Sequence, residues 1–336
     1  ADASAAGGAT RLDEWRVGLA TLVQHPLTGA GPEGYRVVFR DGVDAEYERE
    51  HGRAVQPDRA HNGLLDVALA GGVPAALLYG TFVVVAAVEV RRRTRGRALS
   101  APLLGVLAGI GAYLTQQQLL FPLAEIEPVL FLLAGGVVCS GRPPWPASRA
   151  ASRAVATLAA AVAAGGLWWG IRDVAAWHSA HDATVAAAQG DALAAHARAA
   201  DALRWRSDEV WLHLLSARTA PSPSAALAAV DDALALSPGD PIALQRRQEL
   251  LVNLDPAAAF EELHDLVAAD PHNAALQLLY GTAAIRTDDE AIAEQAWLRA
   301  FDLAPDSPGP RQNLITLYRR QGRDAEADSL EISGNR

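Results

Sequence analysis

The residues with chemistry to offer are gathered between Arg11 and Asn62. Arg11, Arg16 and Arg36 carry planar guanidinium forks, which match phosphate oxygens better than a lysine ammonium does. His25 and His61 carry imidazoles, which can exchange protons with a ligand. Gly29, Gly31 and Gly34 fall within six residues, where they let backbone approach a ligand or take a positive φ. Arginine with glycine points to a phosphate-bearing ligand, and histidine adds an acid–base group. No cysteine cluster or acidic metal box accompanies them, so no metal or other cofactor is expected.

Each residue also has a plainer reading. Gly29-Ala30-Gly31-Pro32 reads equally as a turn between two segments. Asn62 is well placed as the N-cap of the helix that follows, and His61 then merely neighbours that cap. Arg16 beside Trp15 has the character of an anchor at a membrane surface.

The elements that must position these residues follow from composition. The chain has 336 residues, enough for two domains, and a mean hydropathy of only +0.07 although half its residues are hydrophobic. Apolar residues are therefore unevenly spread. All 29 basic residues are Arg, Met is absent even from position 1, and the single Cys139 excludes an internal disulfide framework. Without an initiating Met, the sequence reads as a fragment or a processed chain. Ala1 to Thr10 is small and polar and does not read as a signal peptide.

Four apolar runs follow the polar segment, about 64–88, 102–121, 126–140 and 154–171, against the roughly 20 residues a spanning helix needs. Arg91, Arg92, Arg93, Arg95 and Arg97 lie between the first two runs, and Arg142, Arg149 and Arg153 between the last two. Short arginine-rich loops face the cytoplasm. Four crossings then put the polar segment 1–63 and everything after residue 172 on the outer face of a cytoplasmic (inner) membrane, as a multi-pass protein. A re-entrant third run would instead move the C-terminal half to the cytoplasm.

From about Trp177 the texture becomes alanine-rich, acidic and amphipathic. Pro238, Pro271 and Pro305 close helix-ending segments 33 and 34 residues apart, the period of a tetratricopeptide repeat. The best unit is 274–305, with Gly281, Ala293 and Ala300 at small-residue positions and Trp297 filling the gap. Units at 207–238 (with Trp211) and 240–271 are more degenerate, 184–206 forms a first pair that continues out of the last membrane span, and 310–330 a last. The expected fold is all-α: transmembrane helices (64–172) preceded by an extracytoplasmic loop (1–63) and followed by a tetratricopeptide-like α-solenoid (173–336). Such repeats present a surface to a protein partner. Residues 178–336 hold 24 acidic and 13 basic residues, which argues against nucleic acid. His178, His181 and Asp182 have a possible ligand spacing without a third and fourth ligand.

The order of short elements resembles a family. Arg11-Leu12-x-x-Trp15, His25-Pro26-Leu27-x-Gly29-x-Gly31, an aromatic at Tyr35 or Phe39, and His61-Asn62 entering a span are similar to the large extracytoplasmic loop of the O-antigen ligase and polymerase superfamily. The likeness covers about Ala9 to Cys139. It implies a metal-independent, inverting glycosyltransferase that takes a glycan from a polyprenyl-diphosphate carrier and passes it to an acceptor, in contact with membrane lipid. His61 matches the loop histidine, implied as general base on the acceptor hydroxyl. Arg11 matches the loop-entry arginine, implied to hold the donor diphosphate as it leaves. Arg16 and Arg36, with Gly29 and Gly31, are lesser candidates for the diphosphate, and His25 holds the turn before Pro26. Family members have about ten or more spans, so a fragment starting at this loop would be inactive alone. A polysaccharide polymerase and a protein O-oligosaccharyltransferase of the same superfamily fit as well. A non-enzymatic membrane-anchored repeat scaffold is the alternative of another class.

Overall fold

The computed structural model describes residues 3–31, 34–53, 57, 59–95, 101–118, 127–139 and 148–333. Among these residues every regular element is helical. The chain divides into two compact units, Ala1–Pro144 and Trp145–Arg336.

The first unit opens with a helix, not an irregular loop: α1 runs Ala3–Gln24, followed by α2 (Tyr35–Val38), a 3-10 turn (Phe39–Gly42) and α3 (Ala45–His51). Asp44 caps α3 by accepting from the Tyr47 amide at 2.9 Å. Val17 of α1 meets Tyr35, Phe39, Tyr47 and Leu69 in a small core. Its rings pack edge to face, Tyr35 on Phe39 at 5.6 Å and Phe39 on Tyr47 at 5.5 Å, the geometry the ring quadrupoles favour.

The next helix, α4 (Gly63–Thr94), begins where expected, with the Asn62 side chain accepting from the Leu65 amide at 3.1 Å. It is not one uninterrupted span from 64 to 88. Gly71 and Gly72 leave helical geometry, Gly72 at φ 75° and ψ 179°, and Pro74 follows. An unbroken helix would pair the Val73 amide with the Leu69 carbonyl, and residue 74 with Ala70, but proline has no N–H to give. The glycine segment takes over those partners. Ala30 donates to Leu69 O at 2.7 Å, Gly31 donates to Ala70 O at 3.0 Å, and Val73 donates to Pro26 O at 2.8 Å. Beyond the break, 73–88 is an apolar stretch about 24 Å long at the helical rise, and the helix carries on through Glu89, Arg91 and Arg92.

Helix α5 (Ala101–Gln116) gives way to a turn at Gln117 and Gln118, inside the expected run 102–121, and α6 (Glu127–Cys139) fills the described part of the run 126–140. Residues 119–126, with Arg97 and Arg142, lie outside the described residues. By length and composition, two described helices can cross a membrane: α4 over Gly63–Arg92, and α7 (Arg149–Ala188).

In the second unit the helix that holds the apolar run 154–171 does not end at 172. It continues without a break as α7 to Ala188, because no Gly or Pro lies between Gly170 and Gly190. The far half of α7 buries Ala176, Ala180 and Ala183 against Ala199, Ala202 and Leu212. The rest of the unit is a series of helical pairs: α8 (Ala192–Trp205), α9 (Val210–Thr219), α10 (Pro223–Leu236), α11 (Pro241–Leu254), α12 (Pro256–Ala269), α13 (Ala274–Arg286), α14 (Glu290–Leu303), α15 (Pro308–Arg320) and α16 (Asp324–Ser333). Side chains of Asp191, Ser222, Asp240, Asp255, Asn273 and Asp289 cap α8 and then α10 to α14, and Pro223, Pro241, Pro256 and Pro308 sit in first turns, where a missing N–H costs nothing.

The small-residue rule of the 274–305 unit holds at Gly281. A Cβ there would come within 2.6 Å of Trp297 Cδ1 and Nε1, while Trp297 Nε1 donates to Leu278 O at 3.2 Å. Gly281→Val should therefore overpack the α13–α14 contact and cost about 1–3 kcal/mol. Loss of repeat-domain stability in a thermal melt checks it; an unchanged melt contradicts it.

Candidate functional site

One polar turn and a half of α1 reaches most of the first unit. Asp13 lies 3.0 Å from His51 Nε2, Glu14 lies 3.5 Å from His61 Nδ1, and Arg16 pairs with Asp44 at 3.3 Å and Glu46 at 3.2 Å. Arg11 and Glu14, three residues apart, share a face of the helix. Arg11 is exposed and forms no ion pair among the described residues, and its field acts on Glu14.

His61 takes φ 55°, a left-handed backbone that non-glycine residues rarely adopt. That costs about 1–2 kcal/mol for an L-residue. The bend lets Asp66 Oδ1 accept from the Ala60 amide at 2.7 Å on one side of His61 while Asn62 caps α4 on the other. The pair is sheltered, with the His61 side chain 29% and the Glu14 side chain 15% exposed. Burial pushes the Glu14 carboxyl above the usual carboxylate range, and the nearby His61 and Arg11 oppose that rise. The 3.5 Å separation is long for a hydrogen bond, and catalytic contacts commonly tighten when substrate binds. A carboxylate facing Nδ1 favours the tautomer that carries its proton on that nitrogen.

Of the residues singled out in the sequence, His61 and Arg11 are thus linked through Glu14, which lies 47 positions from His61 and was not among them. Arg16 is committed to Asp44 and Glu46. Gly29 and Gly31 are spent structurally: their amides donate to His25 O and Ala70 O, both at 3.0 Å. His25 faces Asp41 at 3.4 Å, and Gln24 donates to Asp41 O at 2.6 Å, so both hold the turn before Pro26. Arg36 is half-buried on α2. His178 lies 4.0 Å from Asp182 on α7 while His181 stacks on Trp177, so these residues do not converge. Asp13, Glu50 and His51 bring three possible metal-ligand atoms within 4.8 Å of one another at a partly exposed surface.

Beside the Glu14–His61 pair, Trp15, Leu19, Leu22, Leu65, Val73 and Leu77 line an apolar groove of about 400 Å³ between α1 and α4, with Asn62 at its edge. The buried indole N–H of Trp15 has no acceptor among the described residues.

Residues 1–80 match the O-antigen ligase family, a stretch that contains α1, the glycine segment, His61 and the break in α4. No curated protein matches the chain. Among solved structures, MamA 41-end from Desulfovibrio magneticus RS-1 is 19% identical and covers 47% of this chain and 92% of its own, with a TM-score of 0.43. A second MamA crystal structure is 16% identical over 48% of this chain and 90% of its own, with a TM-score of 0.41. Residues 1–80 are thus similar to O-antigen ligases, and the helices of the second unit form an all-α helical-repeat extension.

Proposed function

We propose that the first unit is part of a glycosyl-transfer site that moves a glycan from a polyprenyl-diphosphate carrier to an acceptor at the outer face of the cytoplasmic membrane. The observation that carries this reading is the sheltered Glu14–His61 pair at the N-terminus of a membrane-length helix, within the segment that matches the ligase family. His61 Nε2 takes the proton of the acceptor hydroxyl. The acceptor oxygen forms a bond to the anomeric carbon as the bond from that carbon to the diphosphate oxygen breaks, with inversion. Arg11 balances the charge that develops on the departing diphosphate. The apolar groove beside Trp15 has the chemistry to hold isoprenoid units next to that diphosphate. In this reading both the first 63 residues and the repeats lie outside, and no metal takes part. The acceptor is a lipid, a growing polysaccharide or a protein. The repeats offer a groove of about 610 Å³, lined by Gln277, Tyr280, Gln295 and Arg299, suited to a peptide segment of a protein partner.

Glu14 is a positioning residue here. Glu14→Gln should lower kcat by ~10-fold or more, a share of what a placed base supplies, and leave the carrier KM near its starting value. As pH falls through the raised Glu14 value, the carboxylate is protonated and loosens its hold on His61; His61 must be unprotonated to act in either protein, so Glu14→Gln should alter the acid limb of the activity profile rather than abolish it. The stability sign runs the other way. A folded-state value above the unfolded one makes the charged form a cost at neutral pH, relieved as pH falls. The variant's melting point at neutral pH should therefore not drop. An unaltered acid limb, or a kcat loss matched by a lower melting point, would overturn the role.

A further inference from the structure

Helix α7 does not stop where its apolar run stops, and the first repeats are fastened to it at that level. The run 154–171 ends at Ile171. Arg172, the next residue, donates twice to the Trp205 carbonyl, at 2.9 and 2.6 Å. Arg206 pairs with Asp173 of α7 at 2.5 Å, with Asp208 at 2.9 Å and with Glu209, and its guanidinium lies 4.5 Å over the Trp169 ring. The turn between α8 and α9 is therefore held within about one helical turn of the end of the apolar run.

That turn is flanked by indoles. Trp168 and Trp169 are exposed on α7, Trp205 ends α8 at 40% exposure, and Trp211, the second residue of α9, is 44% exposed. The repeat pattern alone expects a tryptophan such as Trp211 to pack inside its unit, as Trp297 does at 4% exposure. Consecutive helices joined by short turns alternate in direction, so the α8–α9, α10–α11 and α12–α13 turns share one edge of the solenoid. The residues flanking them shrink along the series: Trp205 and Trp211, then Leu236 and Ile242, both exposed, then Ala269 and Ala275. The opposite edge carries Gln189-Gly190-Asp191, Pro221-Ser222 and Asp255. Leu193 and Leu254, exposed singly there, need no explanation.

We infer that the lower edge of the first two repeats, Trp205, Trp211, Leu236 and Ile242, rests in the lipid headgroup layer where α7 leaves the bilayer. Indoles favour that layer, where an apolar body and a polar N–H are both accommodated. The aliphatic pair continues the contact as the solenoid rises from the surface, and the alanines mark where it ends. Arg172, held on the Trp205 carbonyl, and Arg206, paired with Asp173, Asp208 and Glu209, fix the angle of approach, and with three carboxylates against two guanidinium groups the turn gives no preference for anionic lipid. The inference rests on α7 crossing the membrane and is independent of the chemistry at His61.

The test uses the full chain in phosphatidylethanolamine–phosphatidylglycerol vesicles, with Cys139→Ser removing the native thiol and single cysteines carrying an environment-sensitive fluorophore. Labels at Trp211→Cys and Ile242→Cys should be quenched by a lipid bearing the quencher near its headgroup, and labels at Ser222→Cys and Asp255→Cys should not. Ile242→Cys serves alone if Trp211→Cys misfolds. A label at Val162→Cys, quenched by a lipid bearing the quencher deep in its acyl chain, establishes the crossing itself. Quenching at 162 with none at 211 and 242 overturns the docking edge alone. No quenching at 162 overturns the span and the edge together.

Discussion

Replacing His61 with Ala should slow glycan transfer by about 10²–10⁴-fold, the range a positioned general base supplies, with only a small loss of stability. The side chain is not part of the core formed by Val17, Tyr35, Phe39 and Leu69, so its removal opens no cavity there. Its backbone is strained at φ 55°, and alanine tolerates that region less well than histidine does. His61→Asn separates the two effects, because asparagine accepts a left-handed backbone but cannot take the acceptor proton. Both variants should lose kcat alike, and only the alanine should lose a little stability. Transfer at the wild-type rate in His61→Asn would remove the base from the account.

Gly72→Ala is expected to damage the same activity by another route. Gly72 sits at φ 75° and ψ 179°, a region open essentially to glycine, and a Cβ would come within 2.4 Å of Leu27 O. The strain is about 1–3 kcal/mol. To relieve it, the segment from Pro26 to Gly31 must leave α4, giving up three backbone hydrogen bonds worth roughly 0.5–1.5 kcal/mol each. Gly29 meets the same interface from the other side: its Cβ would be 2.5 Å from Leu69 O, with φ already at 63°. The exchange of partners pins the C-terminal end of α1 to the break in α4, and through α1 it sets Glu14 against His61. Loss of hydrogen-exchange protection at Ala30, Gly31 and Val73, together with a fall in kcat, checks this. Wild-type protection in Gly72→Ala would show that the break stands without the glycine segment.

The parts that were legible in the sequence are local. Asn62 as a cap, the repeat period and the close fit of Gly281 to Trp297 follow from residue type at a fixed spacing, and the helices obey it. The break in α4 was encoded in Gly71-Gly72-x-Pro74 but hidden, because hydropathy averages treat glycine as neutral and tolerate proline inside an apolar run. The extent of α7 was missed for the opposite reason: composition changes at 172, but nothing there stops a helix. Glu14 gave no signal at all. Its role depends on a contact across 47 residues, made when α1 packs on α4, and it sits between Asp13 and Trp15 as one acidic residue among 39. Gly29 and Gly31 show how a residue type suited to a ligand can be used up by the fold, since the turn reading and the phosphate reading shared the same residues.

The most direct test is the release of polyprenyl diphosphate by the protein purified from its native membrane, supplied with a glycan-bearing carrier in chelating buffer, with and without acceptor. Transfer at a site where His61 draws the proton from an acceptor hydroxyl should give release that depends on acceptor, survives the chelator and yields an inverted linkage. Release that ignores the acceptor, or no release from a protein that still binds the carrier, would contradict it.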